Sequence, residues 1–377
     1  MNDSEKMKIL VVDDTILYRK IISDVLSELP NVEIVGTASN GKTAIARIAS
    51  LQPDLITLDV DMPGMDGIEV LEEINRLSFN VGVIMLSSLT YEGSEMTIKA
   101  LELGAFDFIP KPELDSMEAN KQYIRQRFAP MLRSFADRRE IKKILSGQST
   151  YKAKDPKKPT DPAIAAGVVK PAIPVDRPVE KKRKTSTEIV VIGVSTGGPK
   201  ALAAMIPDLP ETINIPILIV QHMPPLFTQS LAKSLDSKSA VRVKEAQDGE
   251  MITPNTIFIA PGGKQMRVGK KENGVKIIRV CDDPPENSCK PSVDYLFRSI
   301  AEHYGERATG IIMTGMGSDG TLGIEAMKAR GAYIIAQDEA SCTVFGMPKK
   351  PIESGLVDIV LPLESIAAEI INSAKQH

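Results

Sequence analysis

The sequence predicts two α/β domains, each built on a largely parallel sheet and joined by a proline-rich linker. The chain has 377 residues, which exceeds one typical domain and suffices for two buried cores. Short apolar runs alternate with amphipathic stretches in both halves, and prolines and lysines are concentrated between the halves. We therefore predict a first domain at residues 1–146, a linker at 147–187 and a second domain at 188–377.

The first domain shows five apolar runs of strand length with helical patterns between them. The runs cover residues 8–12, 32–38, 55–58, 81–86 and 105–109. Strict alternation of strands and helices is typical of a doubly wound parallel sheet. Ligands of such sheets bind at the carboxyl ends of the strands, so polar residues at those ends are candidates for function.

The linker differs sharply in composition from the sequences that flank it. Prolines lack a backbone donor, and like-charged lysines repel one another, so the segment is expected to be extended. Six prolines are scattered through it: Pro156, Pro159, Pro162, Pro171, Pro174 and Pro178.

Strand-like runs return in the second domain, and helical patterns separate most of them. Helices are predicted at residues 293–303, 322–329 and 365–374. This alternation again predicts a doubly wound sheet with mostly parallel strands. The strand-like runs cover residues 189–194, 215–220, 240–243, 256–259, 276–280, 310–313, 333–336 and 357–361.

Charge and apolar content exclude several classes of partner. The 46 basic and 49 acidic side chains leave a net charge of −3, so we expect no nucleic-acid partner. No apolar run approaches the ~18 residues of a membrane span, and the first residues do not resemble a signal peptide. A cytoplasmic protein without membrane insertion is expected. The three cysteines show no metal-binding spacing and are predicted to be ordinary reduced thiols.

Acidic residues follow the first and third predicted strands. Asp13, Asp14 and Asp59 come to neighbouring strand ends, where each close pair of carboxylates would repel by ~4 kcal/mol at an effective dielectric of 20. A divalent cation or protonation must relieve this repulsion, and all-oxygen ligation suits Mg²⁺. Ser87 and Lys111 follow the fourth and fifth strands and reach the same rim.

In this order of residues, the chain over about residues 7–125 resembles the receiver domain of two-component response regulators. The resemblance implies a flavodoxin-like fold in which Asp59 accepts a phosphoryl group from a histidine kinase. It also implies Mg²⁺ bound with the help of Asp13, Asp14, Asp59 and the Asp61 carbonyl. Two further roles are implied: phosphate binding by Ser87 and Lys111, and a switching aromatic at Phe108.

The second domain begins with a candidate nucleophile. Ser195 lies in Gly193-Val194-Ser195-Thr196-Gly197-Gly198-Pro199, directly after a predicted strand and before a helical pattern. A serine nucleophile needs a base, for which histidine is best suited near neutral pH. Of the three histidines, His222 alone follows a buried-looking strand, whereas His303 lies late in an amphipathic helix and His377 is the last residue.

The carboxylate that would orient His222 is not decided by spacing. Asp319 follows the strand at 310–313 in a glycine-rich loop, and such a loop also suits phosphate binding. Asp282, Asp283 and Asp338 remain possible on chemistry alone. The order serine, histidine, aspartate would differ from the common α/β-hydrolases, in which the acid precedes the histidine.

Four segments, joined to a receiver, resemble the chemotaxis protein-glutamate methylesterase (CheB) family: residues 193–199, 221–224, 290–294 and 314–320. The resemblance implies Ser195 as nucleophile, His222 as base, Asp319 as orienting acid, Thr196 as an active-site neighbour and the Met316 amide as an oxyanion donor. It implies no cofactor in the esterase site. The implied substrates are glutamate γ-methyl esters, and also glutamines, of methyl-accepting chemotaxis receptors. The receiver is expected to cover the site until a chemotaxis histidine kinase phosphorylates Asp59.

A different class of function is a phosphorylation-controlled binding module. Glycine pairs such as Gly197-Gly198 and Gly262-Gly263 would hold a nucleotide or phosphate there without catalysis. No lysine follows these loops at the Walker spacing, which counts against this reading. A DNA-binding output is weaker still, because the second domain shows no basic face.

Overall fold

The computed structural model describes residues 6–145 and 186–375, with the side chains of 141–145 left aside. The predicted linker therefore lies outside the described residues, except for its last two positions. Of these, Thr187 donates its amide to the Ser373 carbonyl and shares a hydrogen bond with the Thr309 hydroxyl. The predicted domain boundaries remain a proposal.

The first domain is the predicted doubly wound sheet, which confirms this part of the fold prediction. Its strands are β1 (Met7–Val12), β2 (Val32–Ala38), β3 (Leu55–Asp59), β4 (Gly82–Ser87) and β5 (Asp107–Pro110). They are parallel throughout and lie in the order β2-β1-β3-β4-β5. The helices are α1 (Ile16–Ser27), α2 (Gly41–Leu51), α3 (Gly67–Arg76), α4 (Tyr91–Glu102) and α5 (Met117–Leu145).

The central strand β3 shows why these residues form this architecture. All five of its residues are buried, as expected for a strand covered by helices on both faces. The following helix α3 begins with a capping box between Asp66 and Glu69. A Cβ at Gly67 would lie 2.3 Å from the Asp59 carbonyl oxygen, so glycine lets this helix begin directly beside the strand end.

The second domain contains a seven-stranded parallel sheet, again as predicted. Its strands, β6 to β14 without the hairpin β10–β11, lie in the order β14-β13-β12-β6-β7-β9-β8. The bounds are β6 (Ile189–Val194), β7 (Ile217–Gln221), β8 (Arg242–Glu245), β9 (Thr256–Ile259), β10 (Gln265–Lys270), β11 (Lys276–Cys281), β12 (Ala308–Ile312), β13 (Tyr333–Gln337) and β14 (Ile359–Leu361).

Strands β10 and β11 form a separate antiparallel hairpin. The prediction contained β11 but not β10, because the glycine and charged residues of β10 obscure its alternation. The helices of this domain are α6 (Gly198–Met205), α7 (Phe227–Asp236), α8 (Val293–His303), α9 (Thr321–Ala329), α10 (Lys349–Glu353) and α11 (Leu363–Lys375). The short α10 was not predicted.

The order of the second sheet places its functional region. Strand β6 lies between β12 and β7. The strands that follow β6 are added first on its β7 side and later on its β12 side, so the strand order reverses at β6. Crevices at such a switch point, outside the carboxyl ends of the strands, are where doubly wound sheets bind ligands. The residues after β6, β7 and β12 converge there.

The two domains contact each other through α4 and α7. Ser94 and Ser230 share a hydrogen bond of 2.6 Å, and Lys233 pairs with Glu95 at 2.6 Å. At the far end of α4, Glu102 accepts hydrogen bonds from Ser234, at 2.7 Å, and Lys238. Within the described residues, no helix is both long and apolar enough to cross a membrane.

Candidate active site

Ser195 lies on a tight turn between β6 and α6. Its amide donates to the Thr314 carbonyl at 3.0 Å, and its carbonyl accepts from the Gly198 amide at 2.8 Å. Gly197 has a φ of +80°, a conformation that side chains rarely adopt. A Cβ at Gly198 would lie only 1.9 Å from Oε1 of Gln221, so this turn requires both glycines.

His222 follows β7 and meets Asp319, which lies beyond β12. The His222 amide donates to the Val194 carbonyl, which fixes the backbone beside the serine turn. Its Nε2 lies 2.8 Å from Oδ2 of Asp319. Because Nε2 is engaged with the carboxylate, Nδ1 is the ring nitrogen that Asp319 leaves free.

Asp319 is held by an unusually complete set of donors. Besides His222, its carboxylate accepts from the Val293 amide at 2.7 Å and the Ser292 hydroxyl at 2.9 Å. The amides of Asp294 and Gly320 each donate to it at 3.0 Å. Burial raises the pKa of this carboxyl, but these donors and His222 outweigh burial and hold the pKa well below its ordinary value.

The other candidate aspartates are engaged elsewhere. Asp282 pairs with Lys290 at 2.6 Å, Asp283 accepts from the Tyr295 hydroxyl at 2.5 Å, and Asp338 accepts from Ser341 at 2.6 Å. Among the aspartates weighed from the sequence, Asp319 is the one that the structure brings to His222.

The electrostatics of His222 favour its charged form. Burial lowers the pKa of the imidazole, but hydrogen bonds with Asp319 and with the Cys289 thiol outweigh burial and raise the pKa to about 9. The Cys289 sulfur lies 3.8 Å from Nδ1. Within the described part of the chain, Ser195 Oγ forms no hydrogen bond with the imidazole. Such contacts often tighten only when substrate binds.

A cavity of about 690 Å³ contains the serine and the histidine, and residues of both domains line it. Thr196 and Met316 line it from the second domain. The first domain contributes Asp107, Phe108 and Met131. The receiver-like domain therefore forms one wall of the space through which a substrate would reach Ser195.

Two contacts fix this wall beside the nucleophile. The Thr196 hydroxyl donates to Oδ2 of Asp107 at 2.6 Å. Burial raises the pKa of Asp107 to about 6, against the hydrogen bonds from Thr196 and the Phe108 amide. Phe108 is buried, and its ring lies 4.6 Å from that of Phe227 at the start of α7.

The acidic residues of the first domain converge as predicted. Asp13, Asp14 and Asp59 offer carboxylate oxygens within 4.8 Å of one another. Lys111 lies 2.8 Å from Asp13 and 2.6 Å from Asp59. Burial raises the pKa of Asp59 to about 7, although Lys111 opposes the change. Apart from this ammonium, the Oδ2 atoms of Asp13 and Asp59 have no hydrogen-bond partner among the described residues.

This donor set fits Mg²⁺, which prefers oxygen ligands and keeps several waters. The Asp61 side chain is turned to the Ser88 hydroxyl at 3.1 Å, which leaves its carbonyl as the group expected at the metal. The Ser87 hydroxyl is engaged with α4: it donates to the Gly93 carbonyl at 3.1 Å and accepts from Thr97 at 2.7 Å.

Comparison with known proteins matches both halves of this arrangement. The family model for the CheB methylesterase matches residues 190–370, and that for the response regulator receiver domain matches residues 9–121. A protein-glutamate methylesterase/protein-glutamine glutaminase of Desulfotalea psychrophila is 50% identical over 374 residues, covering 99% of this chain and 100% of that protein. The protein of the same name from Bacillus subtilis is 42% identical and covers 98% and 99%. The chain belongs to the CheB methylesterase family.

Two solved structures match the CheB domains separately. The Thermotoga maritima CheB methylesterase catalytic domain is 45% identical, with a TM-score of 0.48, and covers 50% of this chain and 99% of that one. The response regulator domain of Thermotoga maritima CheB is 36% identical, with a TM-score of 0.32, and covers 35% and 97%.

Sequence reasoning about this CheB-family chain missed three residues at the site. Asp107 lies next to Phe108 at the start of a strand, and only the domain contact shows its role. Gln221 donates its side-chain amide to the Ser195 carbonyl at 3.0 Å and was passed over beside His222. Cys289 was treated as an ordinary thiol, and no spacing in the sequence connects it with His222.

Proposed function

We propose that this protein is a cytoplasmic, phosphorylation-regulated hydrolase of chemoreceptors. It removes methyl groups from glutamate γ-methyl esters and deamidates receptor glutamines to glutamate. The observation that carries the proposal is the placement of Ser195, His222 and Asp319 on the ends of three adjacent parallel strands, with the receiver domain as a wall of the same cavity. The names of the relatives support the two substrate classes.

In the ester reaction, Ser195 Oγ attacks the carbonyl carbon while Nδ1 of His222 takes the hydroxyl proton. Asp319 holds the opposite nitrogen and stabilises the imidazolium. The Met316 amide is the expected donor to the oxyanion. The imidazolium returns its proton to the leaving methoxide, and methanol departs. Water, activated by the same imidazole, then releases the glutamate and restores Ser195.

Glutamine deamidation follows the same route through a tetrahedral intermediate. An amide leaves only as the protonated amine, so the proton from the imidazolium is indispensable in this case. Asp319, with its depressed pKa, stays ionised and supports that proton donor. Ammonia departs instead of methanol, and water again completes the cycle.

For the receiver, we propose that Asp59 accepts a phosphoryl group from a chemotaxis histidine kinase. Mg²⁺ held by Asp13, Asp14, Asp59 and the Asp61 carbonyl would supply positive charge to the transferring phosphoryl group. Lys111, already within 2.6 Å of Asp59, supplies a second positive charge. Ser87 is the hydroxyl expected to bind the added phosphate oxygens.

We propose that phosphorylation of Asp59 acts through α4 on the contact by which the first domain covers Ser195. The Ser87 hydroxyl bonds Gly93 and Thr97, both in the first turns of that helix. If Ser87 turns toward a phosphoryl group on Asp59, these bonds are lost, and α4 can move on α7. On the neighbouring strand β5, Asp107 accepts a hydrogen bond from Thr196 beside Ser195, and Phe108 packs against Phe227 of α7. Phosphorylation would thereby weaken the cover.

The test uses methylated receptor and the Ser195→Ala variant, with products identified by mass spectrometry. Loss of a triad nucleophile costs on the order of 10⁶ in turnover, so both ester hydrolysis and glutamine deamidation should disappear. Thr196→Ser keeps a hydroxyl beside the nucleophile and serves as the matched control. Wild-type turnover in Ser195→Ala would refute the assignment, and ester hydrolysis without any change in glutamines would refute the deamidase activity.

A further inference from the structure

Cys289 and His222 come together from distant parts of the chain, next to the nucleophile. The sulfur of Cys289 lies 3.8 Å from Nδ1 of His222, and both side chains line the cavity that contains Ser195. Neither the fold of the esterase domain nor the triad chemistry requires a thiol at this place. A thiol and an imidazole beside the same cavity can bind one metal ion together, and sulfur is the softer of the two ligands.

The spacing of the two atoms matches one metal in particular. Zinc binds thiolate at about 2.3 Å and imidazole at about 2.0–2.1 Å, so a tetrahedral ion holds these two atoms about 3.6 Å apart. The observed separation is 3.8 Å. A tetrahedral zinc ion would require the two atoms to approach each other by only about 0.2 Å.

Asp319 acts on this site through the imidazole. Its oxygens already receive five hydrogen bonds, from His222, Ser292, Val293, Asp294 and Gly320, so no lone pair is left over for a metal. By holding Nε2, it directs the lone pair of the neutral imidazole to Nδ1. This carboxylate–histidine arrangement is the one that commonly supports a histidine bound to zinc.

The backbone holds Cys289 in place. Asn287 and Ser288 both have positive φ, at 50° and 62°, and Glu286 and Cys289 exchange backbone hydrogen bonds across them at 2.7 and 3.1 Å. This is a two-residue turn of the type that closes hairpins. Positive φ at a serine is strained, and such strain persists where the surrounding structure fixes a side chain for use.

We propose that Cys289 Sγ and His222 Nδ1 form an inhibitory zinc site, with water or Ser195 Oγ completing the tetrahedron. Binding replaces the thiol proton and the Nδ1 proton of the imidazolium, and both leave to solvent. It also occupies the nitrogen that must take the Ser195 proton, so the ion and catalysis exclude each other. The inhibitory effect rests on the proposed role of His222, whereas the binding itself does not.

The binding test uses the full-length chain, Zn²⁺ in equilibrium dialysis and Co²⁺ as a spectroscopic probe. Cys281→Ser is the matched control, because the Cys281 sulfur contacts Tyr295 and Gln265 instead of His222. Beyond any ion held by Asp13, Asp14 and Asp59, wild type and Cys281→Ser should bind one ion and show a thiolate-to-cobalt charge-transfer band. Cys289→Ser and Cys289→Ala should lose the band and bind Zn²⁺ at least about tenfold more weakly, since even losing a partner behind a ligand costs that much. Equal binding in all four proteins would overturn the site.

The activity test measures receptor demethylation against Zn²⁺ concentration, each protein relative to its own zinc-free rate. Inhibition of wild type and Cys281→Ser, shifted at least about tenfold in Cys289→Ser, supports the inhibitory role. Undiminished turnover of wild type with zinc bound would overturn it. If the zinc-free wild type itself shows no turnover, the proposed function fails, and the dialysis result still decides whether the metal site exists.

Discussion

Asp319 shows how one side chain can fix the chemistry of another. Its ionised form is stabilised by five donors, and it in turn stabilises the charged form of His222. The pair therefore favours imidazolium, the species that must protonate a leaving group. The same preference opposes the first step, because an imidazolium cannot take the Ser195 proton. Activity should rise with pH as His222 loses its proton.

Cys289→Ser tests this electrostatic balance. The Cys289 thiol is one of the groups that raise the pKa of His222, so the variant should place that pKa lower than in wild type. The rising limb of kcat/KM against pH, measured on methylated receptor, should move to lower pH. Cys281→Ser should leave the limb in place. A limb that stays unchanged in Cys289→Ser would show that the thiol does not act on His222.

Asp107→Asn tests the contact that covers the serine. Burial raises the pKa of Asp107 to about 6, against the hydrogen bond from Thr196 and the charge of Arg127. Asp107 therefore binds a proton more tightly when the first domain covers Ser195 than when the two domains are apart. Acidification through about pH 6 should favour the covered form. Asparagine is neutral at every pH, so Asp107→Asn should favour the covered form throughout. The unphosphorylated variant should demethylate receptor more slowly than wild type at pH 7.

Asp137→Asn, on the exposed side of α5, is the control for this substitution and should behave as wild type. An Asp107→Asn variant with a faster unphosphorylated rate would contradict the sign of this argument.

At the scale of elements, the contact between α4 and α7 combines several polar pairs. Ser94 and Ser230 are buried there, whereas Lys233 and Lys238 remain partly in solvent. Ion pairs that lie in solvent are individually weak. A contact of this kind is strong enough to hold two tethered domains together and weak enough to be opened by a change at one helix.

Glu102→Ala removes the partner of both Ser234 and Lys238. A loss of about 1 kcal/mol shifts the equilibrium several-fold toward the open form, so the unphosphorylated demethylation rate should rise by a similar factor. Glu73→Ala removes a pair with Arg76 inside the first domain and should leave the rate unchanged. An equal rise in both variants would show a general loss of stability instead of a loosened domain contact.

At the scale of the whole molecule, we propose the receiver as both the switch and the cover. Phosphorylation should therefore change the distance between the domains as well as the rate. Beryllofluoride with Mg²⁺, which imitates the phosphoryl group, should raise both the radius of gyration in solution scattering and the demethylation rate. Asp59→Asn should respond in neither measurement. An increase in rate at constant radius of gyration would argue for a local change at the site without domain separation.

Removal of residues 1–146 is the matching test of the cover. If the first domain blocks access to Ser195, the shortened protein should be faster than the unphosphorylated full chain. Unchanged or slower turnover would count against inhibition by covering.

Much of this was determined by the sequence alone. Periodicity and strand ends predicted both sheets, because a buried parallel strand needs a continuous apolar run and its functional residues follow directly. Resemblance to known families then implied the roles of Ser195, His222 and Asp59. The hairpin strand β10 and helix α10 were missed, since short elements with glycine, proline or charged residues carry little periodic signal.

The tertiary structure decided what depends on contacts between distant segments. It selected Asp319 over Asp282, Asp283 and Asp338, placed Asp107 against Thr196, and brought Cys289 to His222. None of these pairs has a fixed spacing in the sequence. The end of a strand can be predicted locally from the apolar residues that precede it. A hydrogen bond between two domains or two loops forms only when the whole chain has packed.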